Sequence, residues 1–233
     1  MKILGIESAA LTASAAVVSE DLLIGEYTVN FKKTHSQTLL PMIEALTRLL
    51  ELDLHEIDAI AVSAGPGSFT GLRIGAATAK GLGLALQKPL VAVPTLEALA
   101  YQLWGSDGLI CPIMDARRNQ VYTGIYRMTD RTQTLMEASA LELAVLIDRL
   151  NELGEKVIFT GDGIPVYRDI LRKGLTIPCA FAPAGKNMHS AACVAALGLQ
   201  AYAEGKGMDA AAFEPEYLRK SQAEREREEK AEG

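Results

Sequence analysis

Cysteine, histidine and long apolar runs are scarce in this 233-residue sequence, and each shortage excludes a class of protein. The three cysteines, Cys111, Cys179 and Cys193, are too few and too irregularly spaced for a disulfide framework or a C-x-x-C metal site. No apolar run approaches the roughly 18 residues that a membrane-spanning helix needs. We therefore expect buried free thiols and no membrane association. The early carboxylate of Glu7 argues against a signal peptide and predicts a cytoplasmic location.

Basic residues are also fewer than acidic ones. The sequence has 23 Lys and Arg and 29 Asp and Glu, which gives a net charge of −6. This balance argues against tight, autonomous binding to a phosphate backbone, but it leaves RNA binding by a larger complex open. It also leaves open whether Arg117, Arg118 or the charged residues 221–233 contact RNA. The hydrophobic content of 49% excludes a wholly disordered chain and predicts a folded core.

The two halves of the sequence have the same order of predicted elements: three strands, a helix, a fourth strand, a glycine-containing turn and a second helix. In the first half we predict strands at Lys2–Ile6, Thr12–Ser19, Leu22–Phe31 and Asp58–Ser63, and helices at Ser36–Leu52 and Leu72–Leu86. In the second half we predict strands at Leu109–Met114, Gln120–Met128, Gln133–Glu137 and Lys156–Thr160, and a helix at Leu141–Leu153. This duplication predicts two similar α/β lobes, 1–105 and 106–220, with a cleft between them and a solvated tail at 221–233.

The turn from Gly65 to Gly71, between a strand and a helix, is the most informative local feature. Gly65, Gly67 and Ser68 would let backbone N–H groups face an anion at a helix N-terminus. Glu7 and Asp115 each end a strand and would meet at the same cleft, as the acids of a phosphate-transfer site do. The alternative is a tight turn that binds nothing and two acids that cap turns, so these five residues are candidates for an inherited nucleotide site.

Other catalytic and metal signatures are absent from the sequence. The three histidines, His35, His55 and His189, have no partner four residues away, so we predict no metal site. Ser68 has no G-x-S-x-G context, and no cysteine has a catalytic setting. We therefore predict no catalytic residue of these classes.

Both predicted helices of the first half have wide apolar surfaces. The first carries Leu39, Leu40, Met42, Ile43 and Leu46, and the second is rich in small residues. Such surfaces are explained either by packing on the sheet or by contact with a partner, because an oversized apolar stripe is usually covered by something.

Several blocks of this sequence resemble the TsaB (YeaZ) family. They are Ile3–Ser8, Thr34–Pro41, Ala64–Gly75, Asp115–Tyr122 and Pro215–Arg219, which occur in order along nearly the whole chain. The resemblance implies an actin-like (ASKHA) α/β fold with two lobes and mixed five-stranded sheets. It also implies a role in making threonylcarbamoyladenosine next to the tRNA anticodon, with TsaD and TsaE as partners. Contact with tRNA would then occur only through the complex. No cofactor is assigned to this chain, and ATP or ADP at an interface of the complex, like nucleotide at the Gly65–Gly71 turn, is left open.

The same resemblance separates this chain from the catalytic paralogue TsaD. The two histidine ligands of TsaD fall on Thr95 and Leu99, and leucine has no donor atom. A Cys-Asp pair and a further acid of TsaD fall on Ala10, Leu11 and Thr12. The resemblance therefore implies a non-catalytic scaffold or activating subunit.

We accordingly predict the surface that binds TsaD, and that forms a homodimer when TsaD is absent. It consists of Leu39, Leu40, Met42, Ile43, Leu46, Leu72, Ile74, Ala76 and Lys80. The alternatives are a nucleotide-dependent transferase that acts alone, and a peptidase-like enzyme. The first is favoured by the duplicated lobes and glycine turns, whereas no set of residues supports the second.

Overall fold

The computed structural model describes residues 1–20, 22–31, 34–117 and 119–219, which form two α/β lobes with one five-stranded mixed sheet each. The first sheet contains β1 (Lys2–Glu7), β2 (Ala13–Ser19), β3 (Leu22–Val29), β4 (Ala59–Gly65) and β5 (Leu90–Pro94), in the order β3-β2-β1-β4-β5. The first three strands form an antiparallel meander, and β4 and β5 continue the sheet in parallel. The charged tail predicted at 221–233 and Arg118 lie outside the described residues.

Two helices cover one face of this first sheet: α1 (His35–Leu49) and α2 (Phe69–Leu86). Leu39, Ile43 and Leu46 of α1 recur at helical spacing and pack with the sheet residues Ile6 and Val17. The short helix α3 (Thr95–Tyr101) follows β5 and packs against the strands of the second lobe, so apolar side chains also join the two lobes.

The second lobe repeats the plan of the first. Its elements are β6 (Leu109–Asp115), β7 (Gln120–Met128), β8 (Thr132–Glu142), α4 (Leu143–Leu153), β9 (Val157–Thr160), α5 (Ile164–Gly174) and β10 (Cys179–Phe181). The strand order β8-β7-β6-β9-β10 is the first sheet's order with each strand replaced by its counterpart. The predicted α/β class, actin-like fold and duplicated order of elements are therefore confirmed, with differences of a few residues at most ends.

The last helix, α6 (Ala191–Ala203), does not belong to the second lobe. It packs against β1, β2 and β4 and covers the face of the first sheet that α1 and α2 leave open. Met208 then forms an isolated antiparallel bridge with Leu90, the first residue of β5. The predicted second lobe of 106–220 is corrected accordingly, since the chain returns to the first lobe after a turn at Ala184–Lys186. A sheet with two apolar faces needs a layer on each.

None of the described helices combines the length and the apolar composition that crossing a membrane requires.

Candidate functional site

A cleft of about 720 Å³ lies between the lobes, where the predicted ligand site would be. Its walls come from the turn after β1, from the start of α2, and from the ends of β6 and β9. The polar and glycine residues that line it include His35, Gly67, Ser68, Gly71, Asp115, Arg117, Asp162 and Arg219. Of the five candidates for an inherited nucleotide site, Gly67, Ser68 and Asp115 line this cleft.

Several backbone N–H groups of the turn that begins at Gly65 are bonded to other atoms of the protein. The Ser68 N–H donates to the carbonyl of Ala9 at 2.6 Å, and the Gly71 N–H donates to Ser68 Oγ, which caps α2, at 3.3 Å. The Gly65 N–H donates to Thr95 Oγ1 at 3.1 Å. These bonds fix the entry into α2 without a ligand, as an ordinary capped turn does.

The glycines in this turn are required by close backbone approach. Gly65 has φ +128°, and a Cβ there would collide with the carbonyl of Glu216. A Cβ at Gly67 would collide with the carbonyl of Ala9. Gly65 is therefore covered by the C-terminal segment and does not line the cleft.

The block Pro215–Arg219 connects the two sides of the cleft. The Glu216 N–H donates to the carbonyl of Ala64 at 2.7 Å, and the Tyr217 ring contacts the Phe69 ring with centroids 4.7 Å apart. Arg219 Nη1 then reaches the second lobe and donates to the carbonyl of Ala116 at 3.0 Å. The segment thereby holds the glycine turn and the end of β6 in one arrangement.

Glu7 and Asp115 have equivalent positions in the two lobes and the same local bond. The Ala9 N–H donates to Glu7 Oε1 at 2.6 Å, and the Arg117 N–H donates to Asp115 Oδ1 at 2.9 Å. Glu7 is only 1% exposed, whereas Asp115 faces the cleft and also accepts a bond from Tyr167 Oη at 2.7 Å. Burial, together with this bond to Asp115, raises the pKa of Tyr167 to about 12. Both acids cap turns, and the two carboxylates do not share the cleft.

Two polar residues with buried, unpaired side-chain atoms, one of which lines the cleft, were not predicted as site residues. Asp162, in the Gly161-Asp162-Gly163 turn after β9, has a buried oxygen without a partner, and burial raises its pKa. His189 is buried beside Glu7, with 3.7 Å between Nδ1 and Oε1. Asp162 could have been inferred as a strand-end acid from its place directly after β9, in the turn that matches Gly65-Pro66-Gly67 of the other lobe. The contact between His189 and Glu7 joins distant segments, and no local pattern reveals it.

Six of the nine residues predicted to form the partner surface are core residues. Leu39, Met42, Ile43, Leu46, Leu72 and Ala76 are all less than 9% exposed, and four of them belong to the cluster beneath α1 and α2. Ile74 is half-buried and lines the inter-lobe cleft, and Lys80 donates to the carbonyl of Phe213 at 3.1 Å. This corrects the prediction for the buried six, because covering the first sheet uses most of the wide apolar stripe.

The outer surface of α1 and α2 nevertheless carries apolar and small residues. Leu40, Leu49 and Leu84 are 54%, 81% and 59% exposed, and Ala77 and Gly81 form a small-residue ridge one turn apart on α2. A Cβ at Gly81 would meet no atom within 4 Å. Nothing among the described residues requires glycine there, although glycine in a helix interior costs about 1 kcal/mol relative to alanine. We call these five residues the outer helix face.

Thr95 and Leu99 occupy structural positions. Thr95 is fully buried and accepts the bond from Gly65, and Leu99 packs in the apolar cluster that joins α3 to the second lobe. Neither side chain offers the donor that a transition metal prefers at such a site. Among the described residues, no three His, Cys, Asp or Glu side chains are grouped to hold a metal ion.

Comparison with known proteins gives one consistent relationship. A family model described as TsaD, tRNA N6-adenosine threonylcarbamoyltransferase, matches residues 27–227. The chain is 33% identical to the tRNA threonylcarbamoyladenosine biosynthesis protein TsaB of Bacillus subtilis over 96% of each chain. It is 30% identical to the protein of the same name from Escherichia coli, again over 96% of each.

Solved structures agree with these relatives. A Pseudomonas aeruginosa protein described as similar to peptidase YeaZ has a TM-score of 0.81 and 27% identity, over 94% of this chain and 99% of that one. YeaZ from Pseudomonas aeruginosa has a TM-score of 0.76 and 26% identity, over 93% and 99%. Component A of Acidaminococcus fermentans (R)-2-hydroxyglutaryl-CoA dehydratase, 12% identical with a TM-score of 0.51 over 88% and 98%, shares the fold alone.

Proposed function

From the premise that this chain belongs to the TsaB family, whose named members are tRNA threonylcarbamoyladenosine biosynthesis proteins, we propose that it is a non-catalytic subunit of that pathway. It binds a TsaD-type threonylcarbamoyltransferase and activates it, and it associates with TsaE through that complex. Contact with tRNA occurs in the complex, in agreement with the acidic net charge of this chain. We also propose a cytoplasmic location, since the substrate of the pathway is tRNA.

The observation that carries the non-catalytic role is the use of the candidate acids as structural groups. Glu7 is buried against His189 and the Ala9 N–H, and Asp115 is bonded to Tyr167 and the Arg117 N–H. The predicted phosphate-transfer site needs both carboxylates at the cleft to hold a metal ion or its water, and the burial of Glu7 leaves Asp115 there without it. Thr95 also supports a non-catalytic role. It stands where TsaD has a histidine ligand, and its hydroxyl instead accepts a bond from the Gly65 N–H.

The outer helix face is the surface that we propose for TsaD. Small residues at Ala77 and Gly81 let the backbone of another helix approach closely, and the exposed leucines on either side would then be buried. TsaD is the occupant that we propose because it is a paralogue, so its equivalent helices could pack against these in a pseudo-symmetric pair. In the absence of TsaD, a second copy of this chain would occupy the same face.

The decisive experiment is light scattering on size-exclusion fractions of this chain and its TsaD, alone and mixed. We expect a one-to-one complex and, for this chain alone, no ATP hydrolysis above the buffer rate. Ala77→Glu should weaken the complex at least tenfold, because it places a charge and added bulk on the small-residue ridge. Val166→Glu is the matched control, since Val166 is 57% exposed on α5 in the other lobe.

Two results would contradict the proposal. Unchanged affinity for Ala77→Glu would remove the outer helix face from the interface while leaving the pathway role in place. Metal-dependent ATP turnover by this chain alone would favour the nucleotide-dependent transferase, and Asp115→Asn would then test whether the cleft carries that activity.

A further inference from the structure

His189 lies where the chain passes from the second lobe back to the first. Before it, β10 pairs with β9, and the carbonyl of Lys186 accepts a bond from Thr160 Oγ1 at 2.8 Å, all within the second lobe. After it, α6 begins at Ala191 and packs on the first sheet. His189 is therefore on the short segment that connects the two lobes.

Buried polar atoms without a partner are concentrated at this connection. Among the described residues, six have such side-chain atoms, and four of the six are Glu7, Asp162, Asn187 and His189. His189 is 2% exposed and Glu7 is 1% exposed, with 3.7 Å between Nδ1 and Oε1. Native proteins leave few buried polar groups unpaired, so a group of them at one junction needs an explanation beyond packing.

We propose that His189 is a protonation-dependent latch between the lobes. As the imidazolium, it pairs with Glu7 at the end of β1 in the first lobe and is attracted to Asp162 after β9 in the second lobe. As the neutral ring, it leaves both carboxylates without a counter-charge in the interior. Loss of the proton therefore loosens the connection between the lobes, while each lobe keeps its own apolar core.

The surroundings of His189 make the imidazolium depend on these carboxylates. Burial alone lowers the pKa of His189, but the negative charge of Glu7, with a smaller contribution from Asp162, raises it above its ordinary value. The N-terminus of α6 follows within two residues and disfavours a cation. The titratable and charged groups on the surrounding elements are Glu7 on β1, Glu26 on β3, Asp115 on β6, Asp162 after β9, Lys186 in the turn before His189 and Cys193 on α6.

Glu26 is engaged elsewhere and does not replace Glu7. Its Oε1 accepts bonds from Ser190 Oγ at 2.7 Å and from the Ala192 N–H at 3.2 Å, so it caps α6. The Ala191 N–H is bonded to Ser14 Oγ at 3.1 Å. The start of α6 is therefore fixed to the first sheet independently of the histidine, which confines the latch to the residues before the helix.

The test uses the full chain, which has only three histidines. Ring signals in a proton–nitrogen NMR titration are assigned with His35→Gln and His55→Gln. We expect the midpoint of His189 to exceed the ordinary value of about 6.5 and to fall by at least one pH unit in Glu7→Gln. Amide exchange at 186–190 and 161–163, corrected for the intrinsic pH dependence, should accelerate at least tenfold as pH passes the wild-type midpoint.

Matched variants separate the latch from general effects of pH. His189→Gln should abolish the step in exchange, and Glu7→Gln, which keeps the shape of the side chain, serves if His189→Gln does not fold. Asp53→Asn is the control, because Asp53 pairs with the exposed His55 at 2.9 Å, away from the connection. A ring that stays neutral from pH 5 to 8, or a titration without a step in exchange, would overturn the proposal.

Discussion

Gln102 and Met188 join the two places where the chain passes between the lobes. Nε2 of Gln102, at the end of α3, donates to the carbonyl oxygen of Met188 at 2.7 Å. Met188 directly precedes His189, so the outgoing and returning segments are held together beside the buried polar group. Together with Arg219 and the apolar cluster around α3, this bond fixes how the lobes meet.

Gln102→Ala should therefore lower the free energy of unfolding by about 1 kcal/mol, the usual net value of one hydrogen bond. The loss should be accompanied by faster amide exchange at 187–190, which urea unfolding and mass spectrometry can measure on the same samples. Gln133→Ala, at an exposed position on β8, is the control. Equal effects of the two substitutions would mean that the bond to Met188 contributes nothing specific.

The core and surface positions of α1 can be separated by a pair of truncations. Ile43 is 1% exposed in the cluster beneath the helix, so Ile43→Ala should lower the free energy of unfolding by about 2–5 kcal/mol. Leu40 is 54% exposed, so Leu40→Ala should change it by less than about 0.5 kcal/mol. Urea denaturation at one protein concentration tests both, and a large loss for Leu40→Ala would mean that the free chain already buries its outer helix face.

Gly81→Ala should stabilise the isolated chain and weaken its complex with TsaD. A Cβ at Gly81 meets no atom within 4 Å, so the substitution should add up to about 1 kcal/mol of helix stability. The same methyl group would intrude between helices in the proposed interface. Thermal unfolding and titration calorimetry measure the two effects.

Gly75→Ala is the matched comparison on the same helix. A Cβ at Gly75 would collide with Ser8 Oγ, so this substitution should destabilise the free chain. Stabilisation by Gly81→Ala without any loss of TsaD affinity would argue against close helix approach at the ridge.

Local patterns were sufficient to predict much of the fold. The first three strands and α1 were predicted within a few residues, because alternation and helical spacing are properties of neighbouring positions. The return of α6 to the first sheet was missed, and with it the extent of the second lobe. The sheet against which α6 packs is determined by an uncovered apolar face that lies far away in the sequence. The residues of α6 themselves do not indicate which sheet that is.

The candidate site also has features that local sequence patterns predict and features that they do not. The sequence identifies Glu7 and Asp115 as strand-end acids and is compatible with their use as turn caps, which is the use that the structure shows. The burial of Glu7 against His189 could not be predicted, because a lone histidine carries no periodicity or motif. The buried leucines of α1 were assigned to a partner because a hydrophobic pattern does not distinguish the chain's own sheet from another protein's helix.

The stability of the chain should decrease as pH rises through the neutral range, and His189 should be the cause. The pKa of His189 is raised in the folded state, so its stabilising contribution is complete below the unfolded value of about 6.5 and is lost as pH rises through the folded value. Urea unfolding between pH 6 and 8 should show this loss in wild type and a flatter profile in His189→Gln.

The same measurement on His55→Gln is the control for a general effect of losing a histidine. His55 is exposed, so we expect the change in unfolding free energy with pH to be that of wild type. Burial raises the pKa of Cys111 to about 12 and of Cys193 to about 11, so neither folded thiol ionises in this range. Any ionisation of unfolded thiols affects all variants equally. Parallel profiles for wild type and His189→Gln would therefore show that folding leaves the pKa of His189 unchanged. Stability that instead rises with pH in wild type alone would show a ring held neutral, and the pairing with Glu7 would then have to be that of a neutral imidazole.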